Sequence, residues 1–197
     1  MKTWLSTVCM VLAFDLVGAL AQAPPASDPW IRKSSKPGDF RAGRLPWNSF
    51  SVELPEDWQL VPGFSTMLVT AAEKGRNNQP AAAIIIEHTQ NTEPLNASDV
   101  DERLAALEAD WVRQRDPAGE NFEHQVKEFE GRRFLLVQYG RAGFNGRDHV
   151  VVYVMPAGKV MYRLICIAPE KQMAEKYQAI FAHVAATFKP AAAGSGD

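Results

Sequence analysis

The sequence predicts an α/β chain of the α+β type, with one antiparallel sheet held between helices in three layers, α/β/α. Three observations carry this expectation. Residues 123 to 168 read as a meander of four short strands separated by turn residues. The last three of those strands place apolar side chains on both faces. Two helical stretches, one before the meander and one after it, each carry a single apolar stripe.

Phe50 to Leu54, in "FSVEL", alternates apolar and polar and predicts the first strand, which Pro55 ends. Trp58 follows as a large apolar plug against the sheet. "STMLVTAAEKG" holds a second strand and "PAAAIIIEHTQ" a third, joined by the polar turn "KGRNNQP". A helix comes next. Ser98 is read as its N-cap, with Asp101 three residues on in capping-box spacing. Val100, Leu104, Leu107 and Trp111 recur in steps of four, three and four, and Pro117 requires an end near Arg115.

The meander strands are "HQVKEFE", "RRFLLVQYG", "DHVVVYVM" and "KVMYRLICIA", with turns at Gly131, at Asn145-Gly146 and at "PAGK". Turns this short impose antiparallel pairing. Phe134, Leu136, Val137, Val150 to Val154 and Leu164 to Ile167 cover both faces, so layers are expected on both sides. From Pro169 to Lys189 a second helix puts Met173, Tyr177, Ile180, Phe181, Val184 and Phe188 on one face. Pro169 suits its first position and Pro190 closes it.

Length and composition bound the rest. The chain has 197 residues, of which 46% are hydrophobic, enough for one domain with a real core. Lys and Arg number 21 against 23 Asp and Glu, and that balance argues against nucleic acid as a partner. Lys2, the apolar run "WLSTVCMVLAFDLVGAL" and small residues at Ala19 and Ala21 form a secretion-signal pattern, with cleavage expected before Gln22. Asp15 within that run argues against a retained membrane span. Residues 1–21 are thus read as a signal peptide. Residues 22–46, rich in Pro, Ser, Gly and basic groups, are read as a flexible linker. Residues 47–190 form the domain, and 191–197 a disordered tail. The mature chain keeps one cysteine, Cys166, which reads as a small buried hydrophobe.

"FSVELPEDWQL", the two-sided meander and "GKVMYRLICIAPEKQMAEKYQAIFAHVAATFKP" resemble the Mog/PsbP-like superfamily. In that superfamily a strand–Pro–x–x–Trp element opens the domain. A strand–helix unit closes it, with the rhythm carried here by Tyr177, Phe181, Val184 and Thr187-Phe188. Thr187 stands where Ser is usual. The resemblance implies a non-enzymatic domain used for binding or assembly. It transfers no functional residue, because the matched positions are packing positions.

Chemistry-bearing motifs are absent from the sequence: there is no Gly-rich phosphate loop before a helix, no nucleophile elbow, no CxxC and no HExxH. His88, His124, His149 and His183 are scattered. The pairs nearest to a metal set, Glu87 with His88 and Asp148 with His149, are sequence neighbours. In a strand, neighbours point to opposite faces, so neither a metal nor a cofactor is expected. His183, off the apolar stripe, is expected to be exposed. The best binding candidate is the hairpin "YGRAGFNGRDH", which carries Arg141, Phe144, Arg147 and Asp148. Arg132-Arg133 at the preceding turn is a second basic feature. The sequence therefore points to an exported, non-catalytic binding or assembly factor whose partner is another envelope protein. Its rivals are a small-ligand or metal-binding periplasmic protein and a hydrolase without a recognisable motif.

Overall fold

The computed structural model describes residues 30–35, 50–55, 58–62, 66–73, 80–129, 132–143 and 146–190. The expected signal peptide with Ala19, Ala21 and Gln22, the tail 191–197 and Phe144 lie outside the described residues.

Among the described residues, nine strands fall into two antiparallel sheets. The small sheet has the order β1 (Trp30–Ser35), β2 (Phe50–Pro55), β9 (Lys189–Pro190). The large sheet has the order β3-β4-β5-β8-β7-β6. Its strands are β3 (Trp58–Pro62), β4 (Met67–Glu73), β5 (Ala83–Leu95), β6 (Glu120–Phe129), β7 (Arg132–Gly143) and β8 (Gly146–Pro169). Helix α1 (Glu102–Arg115) lies over one face of the large sheet. The closing helix lies over the other, together with β2 and its sheet. The three-layer expectation is met, with a small sheet sharing one outer layer.

The two faces follow from strand alternation. On β5, Ile84 and Ile86 face the closing helix, while Ile85, Glu87 and Thr89 face α1. The closing-helix side holds Phe50, Trp58, Tyr177, Phe181 and Phe188, with Trp58 edge-on to Phe181 at 6.4 Å. Trp58 is the expected plug, and it also opens β3. The α1 side is lined by Leu135, Val137, Val150, Val152 and Val154.

Five local expectations are corrected. Part of the stretch read as a flexible linker forms β1, in register with β2 from Trp30↔Pro55 to Ser35↔Phe50. "WIRKSS" has no apolar alternation of its own. The unpaired edge of β2 supplies the hydrogen-bonding partner that orders it. Second, α1 starts later than Ser98. Ser98 lies in a 3-10 turn, Ala97–Asp99, and the N-cap is Asp101, whose carboxylate accepts from the Leu104 amide at 2.8 Å. Third, of the expected stripe Val100, Leu104 and Trp111 do pack on the core, but Leu107 is 58% exposed, and the buried positions of α1 are Ala105, Glu108, Ala109 and Val112. Fourth, His183 is half-buried, its Nε2 3.2 Å from Glu53 Oε2 on β2. A helix lying against the small sheet brings the two together. Fifth, the closing helix is not uniform: an α turn, Glu170–Gln172, passes through a π-helical stretch, Met173–Tyr177, into an α-helix, Gln178–Thr187. The π stretch accompanies a clamp at the end of β4. There Lys176 Nζ and the Tyr177 hydroxyl both donate to Glu73, each at 2.6 Å.

"PAGK", the expected turn, lies inside β8, which is continuous over 24 residues. Its two arms nevertheless serve different neighbours. Residues from Gly146 to Val154 pair with β7, and those from Gly158 to Ile167 pair with β5. Between Met155 and Val160 the core-facing alternation shifts phase, and Gly158 takes φ +64°. A straight strand of this length would run about 80 Å. Both arms feed one core, so the chain folds back here, where glycine tolerates the left-handed backbone.

Candidate functional site

The hairpin proposed from sequence joins β7 to β8, with Gly143 opposite Gly146 and Arg141 opposite Asp148. Alternation divides its charged residues between the two sheet faces. Arg141 and Asp148 follow Tyr139 and Val150 toward the α1 side, whereas Arg147 lies on the closing-helix side. Among the described residues, Arg147 is therefore set apart from Arg141 and Asp148.

Each is engaged locally. Arg141 Nη1 donates to Asp116 Oδ2 at 2.9 Å, and the Tyr139 hydroxyl donates to the same oxygen at 2.9 Å. Asp116 is the residue at which α1 ends, so this carboxylate ties the helix terminus to β7. Asp148 packs against Gly143, where an added Cβ would meet its carboxylate. Burial raises the pKa of Asp148, and Arg141 opposes that shift. Arg147 bridges Glu120 on β6, at 2.9 Å, and Glu170 at the start of the closing helix, at 3.5 Å. Gly140 makes room for it: a Cβ there would lie 2.7 Å from the Arg147 guanidinium.

A larger polar cluster, not anticipated from sequence, lies between α1 and the sheet. Arg163 on β8 and Glu108 on α1 are both buried and form a two-pronged pair, Nε to Oε2 and Nη2 to Oε1, each at 2.9 Å. Arg163 Nη1 donates to Thr89 at 2.8 Å, and its guanidinium stands 4.0 Å from the Trp111 ring centroid. Glu87, opposite Arg163 across β5 and β8, is fully buried. Arg115 Nη1 donates to its Oε1 at 2.8 Å, and Nη2 makes a 2.7 Å ion pair with Oε2 without hydrogen-bond geometry. Arg115 also stands over Trp111, at 5.0 Å. Burial raises the Glu87 pKa against the pull of Arg115 and Arg163. The sequence signal that could have found the cluster is Arg163 in a two-sided apolar strand with Glu87 in another, two opposite charges that must find partners if buried.

The remaining candidates stay apart. Glu87 faces α1 while His88 lies on the other face, against Tyr162. Asp148 and His149 are divided in the same way. His88 is buried, its Nδ1 has no hydrogen-bond partner among the described residues, and burial lowers its pKa. Burial also lowers that of His149, against the opposing effect of Glu170 and Glu123. Cys166 is fully buried with its thiol pKa pushed well up, the state of a packing residue.

These histidines give a pH dependence with a definite sign. Their folded pKa values lie below the ordinary 6.5, so the unfolded chain takes up protons first as pH falls. Their contribution to stability is present above about pH 6.5 and is lost on acidification below it. Glu87, with a raised pKa, acts in the opposite direction. Urea unfolding at pH 7.5 and 5.5 should therefore lose less stability on acidification in His88→Gln than in the parent. An equal loss in both would show that His88 does not contribute.

No family model matches the chain, and no curated protein matches it in sequence. Solved structures do match. Cyanobacterial PsbP (CyanoP) from Synechocystis aligns with a TM-score of 0.53 at 12% identity, over 87% of this chain and 98% of its own. This chain has the Mog/PsbP-like fold. A protein from Bacteroides thetaiotaomicron aligns at 0.52 and 11% identity, over 84% of this chain and 50% of its own. LpqN, involved in cell envelope biogenesis of Mycobacterium tuberculosis, aligns at 0.50 and 14% identity, over 86% of this chain and 99% of its own. The Mog/PsbP-like resemblance read from "FSVELPEDWQL" and the closing unit is thus borne out as a fold. At these identities the likeness is one of fold alone.

Proposed function

We propose that this Mog/PsbP-like protein is an exported, non-catalytic binding or assembly factor of the cell envelope, with another envelope protein as its partner. The observation that carries the reading is the fold shared, over nearly its whole length, with LpqN, a protein involved in cell envelope biogenesis. The secretion-signal pattern ending at Ala21 supports the address. No helix among the described residues is long and apolar enough to cross a membrane. The non-catalytic part is supported by the state of the titratable groups. Glu87, Glu108, Asp116 and Glu120 are each held by an arginine, and the His–carboxylate neighbours point to opposite faces.

Expression in a bacterial host followed by fractionation and intact-mass measurement tests the address. The expected result is a chain in the envelope fraction that begins at Gln22. A full-length chain retained in the cytoplasm would overturn the export reading.

A further inference from the structure

We propose that the C-terminal end of α1, with the adjoining parts of β6 and β7, is a docking surface for an acidic, carboxylate-bearing segment of a partner protein. This deepens the reading above and rests on it. Three arginines border that surface: Arg113, toward Phe122 of β6, and Arg115, toward Glu87 of β5, both on the last turn of α1, and Arg141 on β7, paired with Asp116 at the helix end. Their side chains are 52%, 46% and 32% exposed. Two of the carboxylates that hold them lie beneath the surface, Glu87 at 1% and Asp116 at 18%, while Asp110, paired with Arg113, is exposed. At Arg115 and Arg141 the group presented outward is therefore the guanidinium, while at Arg113 both charges are exposed.

Aromatic rings fix these groups in place. Arg113 stands 5.1 Å from the Phe122 centroid, Phe122 stacks on Tyr139 at 4.5 Å, and Arg115 stands over Trp111. The pairing with Asp116 engages Nη1 of Arg141, and that with Asp110 engages Nη1 of Arg113. A guanidinium carries five N–H donors, so an arginine held in this way still has donors to offer. Guanidiniums already ordered by buried acids and ring faces lose little side-chain entropy on binding, and their planar fork matches a carboxylate. Arginine and aromatic side chains together are also the residues that dominate binding energy at protein interfaces.

A membrane is the less favoured anionic surface. Among the described residues the exposed large apolar side chains are Val61 and Leu107. Val61 lies on β3, at the opposite edge of the sheet from β6, so the arginine cluster has no apolar group of that kind beyond Leu107 to insert.

The test measures binding of a fluorescent octaglutamate peptide by anisotropy, for the parent protein and for the double variant Arg113→Gln/Arg141→Gln. Arg115 is kept because it neutralises buried Glu87. Arg147→Gln, a similarly exposed arginine on the other face, serves as the control. The expected result is saturable, salt-sensitive binding that weakens by about tenfold in the double variant and is unchanged in Arg147→Gln. Absence of saturable binding, or an equal loss in Arg147→Gln, would overturn the proposal. So would tighter binding to phosphatidylglycerol vesicles than to the peptide at matched charge. If the double variant does not fold, Arg113→Glu alone replaces it, with the same outcomes. A partner captured equally by parent and double variant would count against this surface and leave the envelope reading standing. Failure of export would count against the envelope reading itself.

Discussion

Arg163→Ala is expected to destabilise the protein by about 3–5 kcal/mol, because it leaves the Glu108 carboxylate buried without its counter-ion. The substitution also removes the donor to Thr89 and the guanidinium over Trp111. The paired replacement Glu108→Leu/Arg163→Met is expected to regain most of that loss, since it removes both charges and fills the space with apolar groups. Two buried charges gain Coulomb energy from each other but lose hydration, so the pair is worth less than either break suggests. Urea denaturation of the parent, the single variant and the double variant measures this directly. A cost below about 1 kcal/mol for Arg163→Ala would place the pair in the class of screened surface bridges and contradict its burial.

Phe181→Ala is expected to cost a comparable amount, about 3–5 kcal/mol, through a different cause. Phe181 is fully buried, stands edge-on to Trp58 at 6.4 Å and stacks on Tyr177 at 6.0 Å. It therefore joins the closing helix to the start of β3, across the main core. Truncation leaves a cavity lined by rings that cannot collapse into it. Leu107→Ala is the matched comparison on the other helix, and it is expected to change stability by no more than about 0.5 kcal/mol, because Leu107 is exposed. Equal losses in the two variants would mean that the packing of one of these helices is wrong.

The contrast between those two residues shows how much of the fold was legible in the sequence. The closing helix could be read because its apolar residues are large and fall on one face. Met173, Tyr177, Phe181, Val184 and Phe188 are all buried. The stripe leading into α1 was read in part: Val100 is buried and Leu104 and Trp111 pack against the core, but Leu107 is exposed and the most deeply buried positions of α1 are Ala105, Glu108, Ala109 and Val112. Among those positions is Glu108, whose partner Arg163 sits 55 residues further along. A local period does not register a demand made from another strand. The same holds for β1, whose order comes from the edge of β2, and for His183, whose partner Glu53 lies 130 residues away.

The candidate site was legible to a lesser degree. The sequence placed Arg141 and Arg147 on one hairpin, and that hairpin forms. It did not assign them to opposite faces, although a strand period of two requires that Arg141 and Asp148, as register partners, share a face and that Arg147 take the other. Nor did it show that Arg141 works with the end of α1. Asp116 and Tyr139 make that connection, and they become neighbours only when α1 lies down on the sheet.

The central proposal is that this protein of Mog/PsbP-like fold works by holding an envelope partner. Cross-linking in intact cells, followed by capture of the tagged protein and mass spectrometry of the adducts, tests it most directly. The account predicts a discrete adduct with one envelope protein, formed by the parent and diminished in Arg113→Gln/Arg141→Gln. A protein that is exported and folded yet forms no adduct under conditions that cross-link known envelope complexes would contradict it.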